Sequence, residues 1–196
     1  MVWTYLDVET YSPEKEPRFD DKVILIALRE FKGKISIEKL FTEWELGDER
    51  KIIIEFYNYV RKVSNYEKTT WFIGFNILLF DKPLLVYKIV NFNISSLFDI
   101  LKLLKKIYWK DLRLALLPFN KMIFSGLAAG NIAEKLTKVG LRCRKPLHSN
   151  KEIKNFYENQ MFDEIEEHAK SDLNFISDLN YNLTYKIEEV MKAFQP

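Results

Sequence analysis

Three apolar, β-branched runs precede any helical pattern in this chain, and their order constrains the fold more than any other feature. The runs are residues 2–8, VILIALREF (23–31) and ISIEKLF (35–41). The Lys32-Gly33-Lys34 sequence between the last two runs is typical of a tight turn, so it predicts a hairpin. We therefore predict that the chain begins with three consecutive, antiparallel strands.

The remainder of the chain alternates helical patterns with one further strand. Asp48 can cap a helix over about 49–62, and TTWFIGF (69–75) predicts a fourth strand. We interpret SSLFDILKLLKKIY (95–108) as a short strand that leads into a helix, and the irregular residues 111–125 as a loop on the substrate side. Further helices are predicted over 82–90, 127–140, 150–160 and from 162 towards 192. This succession indicates an α/β layered domain.

Composition limits the class of protein. With 196 residues, 47% of them hydrophobic and 30% charged, the chain fits a single domain over 1–196 that builds its core without disulfides. No apolar run approaches the roughly 20 residues that span a bilayer, and the N-terminus does not resemble a secretory signal, so we expect a cytoplasmic protein and no membrane partner. Cys143 has no companion at zinc-site spacing, which leaves oxygen ligands for any metal. The oligomeric state stays open.

Charge is distributed unevenly along the chain. Residues 101–154 contain 13 Lys or Arg and three acidic residues, a net charge of +10, whereas the rest of the chain has a net charge of −8. A basic middle suits contact with a phosphate backbone, because neutralised phosphates release condensed counterions. A solvated helix face of mixed charge is the alternative for any one cluster, such as KLLKK. The segregation indicates a nucleic-acid partner.

Two acids close the first predicted strand. Asp7 and Glu9 are two positions apart, so they project from one side of the strand about 6.6 Å apart and can bind one metal ion. The earlier residues of that face, Trp3 and Tyr5, have the character of buried residues. Two carboxylates at a buried strand end are unfavourable unless a cation compensates them, although an acidic strand end in solvent is the alternative.

Two later segments offer further polar groups. Asn76 ends the fourth predicted strand, and Asp81 opens the next helix, where an aspartate is commonly only a helix cap. His168 and Asp172 are four residues apart in the last predicted helix, so they share a face. A metal ligand and a water-activating base could therefore point into one pocket, although such pairs are often surface contacts. The lone His148 has no motif around it and is interpreted as a surface residue.

These motifs, in this order, resemble the DEDD superfamily of 3′-to-5′ exonucleases, and most closely the proofreading exonuclease domain of family B DNA polymerases. Residues 7–10 (DVET) match the first motif, D-[IV]-E-T. GFNILLFDKPLL (74–85) resembles the second motif, G-[YF]-N-I-x-x-F-D-x-P-x-L, almost position by position, and His168-x3-Asp172 occupies the third. LFDI (97–100) resembles the short strand that often lies between them, with Asp99 structural. The resemblance spans nearly the whole chain and leaves no room for a polymerase.

The resemblance implies an RNase H-like fold with a mixed central sheet and flanking helices, in a free-standing exonuclease. It implies that two Mg²⁺ or Mn²⁺ ions are held by Asp7, Glu9, Asp81 and Asp172, and that His168 orients or deprotonates the attacking water. Thr10, Asn76 and Phe80 are the implied contacts to the substrate, single-stranded DNA in preference to RNA. Tyr11, Phe75 and Phe80 could stack on bases, although any aromatic residue here could equally belong to the core.

The third motif departs from the family's two patterns, which are Y-x3-D and H-x4-D. A histidine at the tyrosine spacing is rotated about 100° around the helix from its place in the second pattern, and imidazole is shorter than phenol. This departure motivates a second hypothesis, a catalytically inactive nucleic-acid-binding or partner subunit that keeps the fold. The four carboxylates favour the active enzyme over the inactive subunit, because four acids close together repel one another unless a metal ion is bound.

Overall fold

A computed structural model describes residues 2–13, 18, 20–33, 35–66 and 69–195, without the side chains of residues 66, 150 and 151. Its centre is a five-stranded sheet in the order β3-β2-β1-β4-β5. The strands are β1 (Val2–Tyr11), β2 (Lys22–Lys32), β3 (Ile35–Thr42), β4 (Thr70–Gly74) and β5 (Tyr108–Asp111).

Strand directions agree with the predicted start of the chain. β1, β2 and β3 pair antiparallel in sequence order, and β4 then pairs parallel to β1 and β5 parallel to β4. The predicted hairpin between β2 and β3 is present, with Gly33 at a φ of 64° in its turn, whereas Lys34 lies outside the described residues. An antiparallel hairpin flanking a parallel set, in this order, is the arrangement of the RNase H-like fold. The predicted α/β class and mixed sheet are confirmed.

Helices cover both faces of the sheet and divide the core in two. In the described part of the chain they are α1 (Glu43–Leu46), α2 (Glu49–Tyr66), α3 (Asp81–Asn91), α4 (Leu97–Leu104), α5 (Leu112–Leu116), α6 (Ala129–Lys138), α7 (Asn150–Glu158), α8 (Phe162–Tyr185) and α9 (Ile187–Ala193). Leu6 and Val8 of β1 pack with α2, α3 and α4, and Tyr5 packs on the opposite face with α5 to α9. None of the described helices is long and apolar enough to cross a membrane.

The interpretation of residues 95–108 as a strand followed by a helix is wrong. Ser96 caps α4 directly, since its Oγ accepts the Asp99 backbone N–H and donates to the Asp99 carboxylate at 2.6 Å. Leu97-Phe98-Asp99-Ile100 is therefore helical, and the strand, β5, comes after the helix. Residues 111–125 also contain α5, at the start of the stretch interpreted as a loop.

The predicted continuous helix from 162 to 192 is interrupted at Lys186, whose φ of −135° and ψ of 36° are not helical. The break separates α8 from α9 and turns α9 back towards α6. Val190 and Phe194 are thereby buried in the same core cluster as Leu136 of α6. Burial of this apolar surface favours the reversal over continued helix, and neither glycine nor proline marks it in the sequence.

Gly74, the last residue of β4, lies where a side chain does not fit. A Cβ atom at this position would stand 2.9 Å from the Leu6 backbone oxygen and 2.9 Å from the Ile77 Cβ. The turn towards Asp81 therefore passes close to β1 only because residue 74 is glycine.

We expect Gly74→Ala to lower the free energy of unfolding by about 2 kcal/mol, because the backbone of β1 cannot move aside without disturbing the sheet. Urea unfolding followed by circular dichroism measures the loss. Gly130→Ala is the matched control, since its Cβ would meet only the flexible end of Lys145, and alanine is a better helix former. Equal stability of Gly74→Ala and Gly130→Ala would contradict the close approach.

Candidate metal centre

The candidate site begins at the carboxyl end of β1. Asp7 and Glu9 stand on the face of β1 that packs towards α8, and a shift in register follows between Glu9 and Thr10 in the pairing with β2. Glu9 is buried. The sequence thus ends a buried strand with two acids, as predicted.

Asp81 approaches Asp7 from α3, which lies with α2 and α4 on the face of the sheet opposite α8. It is buried at the first residue of α3, and the helix has no side-chain cap at its N-terminus. The cap interpretation is therefore not supported by the structure. The raised pKa of the Asp81 carboxyl has the charge of Asp7 among its causes, which agrees with the two groups being neighbours.

α8 contributes the remaining two groups. The His168 imidazole is buried, and its Nε2 lies 3.4 Å from Glu9 Oε1 and 3.6 Å from Asp172 Oδ2. Ligand atoms of Glu9, His168 and Asp172 all lie within 4.8 Å of one another. The surface-contact interpretation of the His168–Asp172 pair is therefore wrong, because both residues face the acids of β1.

Electrostatic strain marks this cluster. Burial raises the pKa values of the Asp7, Glu9, Asp81 and Asp172 carboxyls above their ordinary range. The charge of Asp7 raises the pKa values of the other three further. No ion pair with lysine or arginine relieves the four groups within the described residues. Such an arrangement is unfavourable near neutral pH without a cation.

Orphaned oxygen atoms test whether these residues fit a divalent metal. Asp7 Oδ2 and Asp172 Oδ1 are buried and have no hydrogen-bond partner among the described residues. Carboxylate oxygens are the ligands that Mg²⁺ and Mn²⁺ prefer, and a metal would satisfy both atoms. The donor set therefore fits such an ion.

His168 has an environment that keeps it neutral. Burial, together with the neighbouring His148, lowers the pKa of its imidazole to about 4. Its Nδ1 atom is buried without a hydrogen-bond partner in the described structure. The imidazole is consequently unprotonated near neutral pH and can accept a proton.

We expect the metal-free protein to lose stability as the pH rises from about 6.5 towards 9. Asp172 has a pKa raised to about 9 in the folded protein, so it binds a proton there that the unfolded chain has already released. The lowered pKa of His168 makes stability rise with pH, but only below pH 6.5, the ordinary pKa of histidine.

Thermal unfolding in EDTA across this pH window measures the effect, and Asp172→Asn should flatten the dependence. Mn²⁺ at about 100 times its Kd should restore about 2.7 kcal/mol, which corresponds to a rise in Tm of roughly 5–10 °C. A Tm that is independent of pH and of Mn²⁺ would show that the acids are not coupled to a metal.

Asp111 is a central residue that the sequence interpretation missed. Its buried carboxylate accepts the backbone N–H groups of Asn76 at 3.2 Å, Leu78 at 3.0 Å, Arg113 at 2.9 Å and Leu114 at 3.1 Å. It thus caps α5 and fixes the turn between β4 and Asp81. The signal that could have identified Asp111 instead of Asp99 is its place after the aromatic pair Tyr108-Trp109 and directly before the apolar run that begins at Leu112.

The predicted substrate contacts lie around this turn and the end of β1. Thr10 is partly exposed beside the register shift, Asn76 lies two residues beyond the end of β4 with a φ of 67°, and Phe80 immediately precedes α3. Their contact with substrate stays a prediction.

Two of the aromatic residues considered for base stacking are engaged within the protein. Tyr11 packs on Tyr157 with 4.8 Å between ring centroids, and its hydroxyl donates to Glu158. Phe75 packs edge to face on Phe175 at 5.3 Å. Phe80 packs against the core cluster that contains Leu6 and Val8, and its stacking on a base stays a prediction.

His148 is not the ordinary surface residue that its sequence context indicates. Its ring is partly buried, 6.0 Å from the His168 ring and edge-on to Phe156 at 4.9 Å. Its nitrogen atoms lie 3.6 Å from Glu152 and 3.7 Å from Glu164. The loop before α7 thus places the His148 ring beside the buried His168 imidazole.

Comparison with known proteins finds likeness among solved structures. No protein-family model matches the chain, and no curated protein sequence matches it. Among solved structures, the chain is similar to Escherichia coli exonuclease I in complex with a 5cy-dA13 oligonucleotide, with 12% sequence identity and a TM-score of 0.43. The likeness covers 100% of this chain and 41% of that one, so the chain spans less than half of exonuclease I. The fold assignment therefore rests on the strand order and pairing given above.

Proposed function

We propose that this protein is a divalent-metal-dependent 3′-to-5′ exonuclease of the DEDD type that acts on single-stranded DNA, with RNA as the second substrate to test. The observation that carries the proposal is the convergence of Asp7, Glu9, Asp81 and Asp172 with His168 at one end of the sheet. The resemblance of residues 74–85 to the second motif of 3′-to-5′ exonucleases supports the 3′-to-5′ direction of hydrolysis.

The four carboxylates have the role of metal ligands in this proposal. Their raised pKa values support it, because burial and mutual repulsion destabilise the ionised carboxylates in the metal-free protein, and a bound cation would relieve that cost. When bound, two Mg²⁺ or Mn²⁺ ions would activate water and stabilise the leaving oxygen. Asp7 belongs to the central sheet and Asp81 to α3, which packs on that sheet, so the site is assembled only in the folded chain.

His168 has the role of general base. It is neutral near pH 7 and borders Glu9 and Asp172, so its Nε2 can take a proton from a water held by those residues. The i, i+4 spacing of His168 and Asp172 places the imidazole Nε2 3.6 Å from the Asp172 carboxylate, so the histidine lies beside the metal ligands despite the shorter motif. The altered third motif is thereby compatible with activity.

We expect His168→Gln to lower kcat by about 10²–10⁴-fold, because the amide cannot accept the proton at the relevant pH. Binding of Mn²⁺, measured by calorimetry without substrate, should remain, since the carboxylates are untouched. Undiminished hydrolysis by His168→Gln would show that the imidazole is not the base.

The substrate-binding part of the proposal uses Thr10, Asn76 and Phe80 around the 3′-terminal nucleotide. The basic segment 101–154 supports a nucleic-acid partner, since a net charge of +10 favours a phosphate backbone. These contacts suit single strands, because a base must separate from its neighbour to stack on an aromatic ring.

Incubation of 5′-labelled single-stranded DNA and RNA with Mg²⁺ or Mn²⁺, beside an EDTA control, tests the function. The proposal predicts a shortening ladder on DNA that EDTA abolishes. Failure to degrade either substrate with either ion would contradict the proposal and favour the non-catalytic nucleic-acid-binding alternative.

A further inference from the structure

Arg113 is a cation of the basic segment that is partly buried and has no acidic partner among the described residues. Arg144 pairs with Asp178 at 2.8 Å, and Lys145 pairs with Glu134 at 2.8 Å. Arg113 makes no ion pair with a carboxylate in the described residues, although it is partly buried on α5. Its Nε is buried and has no hydrogen-bond partner there either. A partly buried, uncompensated cation favours an anion as its ligand.

The Arg113 side chain is held in one place by its neighbours. Its Nη1 donates to Asn76 Oδ1 at 3.1 Å, and its guanidinium lies over the Phe124 ring at 5.2 Å. The loop that presents Phe124 is itself fixed, because Asn120 Nδ2 donates to the backbone oxygens of Ile123 and Ser125. The guanidinium is thus preorganised, which lowers the entropy cost of binding.

Asn76 and Arg113 together present only hydrogen-bond donors. The Asn76 Oδ1 atom is occupied by Arg113, so the remaining polar group of that side chain is its Nδ2, a donor. A guanidinium has donors and no acceptor. Two donor groups with one positive charge are complementary to phosphate oxygens.

This pair is anchored beside the candidate metal centre. Asp111 accepts the backbone N–H groups of both Asn76 and Arg113, so it fixes their relative position. The charge of Asp111 is among the causes that raise the pKa of Asp81. The same carboxylate therefore connects the Arg113 pair to the four-acid cluster.

We propose that Arg113 and Asn76 form a phosphate subsite that holds one phosphodiester group of the nucleic-acid strand next to the metal centre. The subsite rests on the proposed function. The Arg113 guanidinium binds the phosphate with two of its N–H groups, and Asn76 adds a third donor. The Phe124 ring, over which the guanidinium lies, holds it in this orientation. Arg113 is a substrate-binding residue and takes no part in the proton transfer.

Fluorescence anisotropy of a short 5′-fluorescein-labelled single-stranded DNA tests the subsite, with Ca²⁺ as the oxygen-ligated ion and a series of salt concentrations. We expect Arg113→Gln to weaken binding about tenfold or more at low salt, because a charged contact to phosphate is lost. The slope of log K against log salt should decrease in magnitude by about 0.7, the value for one phosphate on a single strand.

Two further variants make the measurement specific. Arg61→Gln is the matched control, since Arg61 also lies over an aromatic ring, Tyr57 at 5.8 Å, but is exposed on α2. It changes the net charge equally and should leave affinity and slope unchanged. Arg113→Lys keeps the charge without the planar fork, so it should keep the slope and lose part of the affinity.

The outcomes separate the subsite from the function. Equal affinity and slope for wild type, Arg113→Gln and Arg61→Gln would overturn the subsite, even if hydrolysis and Mn²⁺ binding are intact. Equal losses in Arg113→Gln and Arg61→Gln would overturn it too, since charge alone would explain them. No binding of the strand by the wild-type protein would overturn both the subsite and the proposed function.

Discussion

Replacing Asp81 by asparagine is expected to lower the rate of hydrolysis by at least about 10³-fold, because a metal ligand contributes several kcal/mol of transition-state stabilisation. The fold should remain, since asparagine has nearly the same shape. The metal-free variant should be as stable as the wild type, or more stable, at pH 8. Burial and the charge of Asp7 raise the pKa of Asp81, so its ionised form destabilises the metal-free protein.

Initial rates on single-stranded DNA and a thermal unfolding curve in EDTA measure both effects. Asp99→Asn is the matched control, because Asp99 is an exposed residue of α4 with the same chemical change. Its activity should equal that of the wild type. If Asp81→Asn loses activity and also unfolds at a clearly lower temperature than the wild type in EDTA, Asp81 is a structural carboxylate and not a metal ligand.

Asp111→Ala is expected to cause the largest loss of stability, about 3–4 kcal/mol. The substitution removes the cap of α5, worth about 1 kcal/mol, and two charge-assisted bonds to Asn76 and Leu78, worth about 1.5 kcal/mol each. For a chain of this length the Tm should fall by roughly 10 °C. Binding of single-stranded DNA should also weaken, since the turn that carries Asn76 is released.

Differential scanning calorimetry and anisotropy measure these changes. Asp111→Asn provides the comparison, because asparagine caps a helix as well as aspartate does and keeps one carbonyl oxygen. It should lose about half as much stability. A Tm of Asp111→Ala within about 2 °C of the wild type would contradict the anchoring role of this carboxylate.

Much of the fold follows from local sequence signals. Alternating apolar runs and the Gly33 turn predict β1, β2 and β3, and the pattern around Phe56 and Val60 predicts α2. The resemblance to the exonuclease motifs implies Asp7, Glu9, Asp81 and Asp172 as one set, and the structure brings their side chains together. Local patterns alone place Asp7 and Glu9 at a strand end and Asp172 on a helix face, and they leave Asp81 as a helix cap.

The remaining features depend on tertiary contacts that periodicity does not encode. LFDI at 97–100 has a strand-like composition, but Ser96 caps it as a helix, and the structural aspartate is Asp111 instead. The break at Lys186 serves the burial of Val190. His148 and Arg113 have partners distant in sequence, so neither has a local signal.

The most direct test of the central claim uses a single-stranded DNA labelled at its 3′-terminal nucleotide, incubated with Mn²⁺ and either wild-type protein or Asp81→Asn. A 3′-to-5′ exonuclease with this metal centre releases the label as a mononucleotide from the first turnovers, and Asp81→Asn releases almost none. Release of the label in longer fragments, or equal release by the two proteins, would contradict the account.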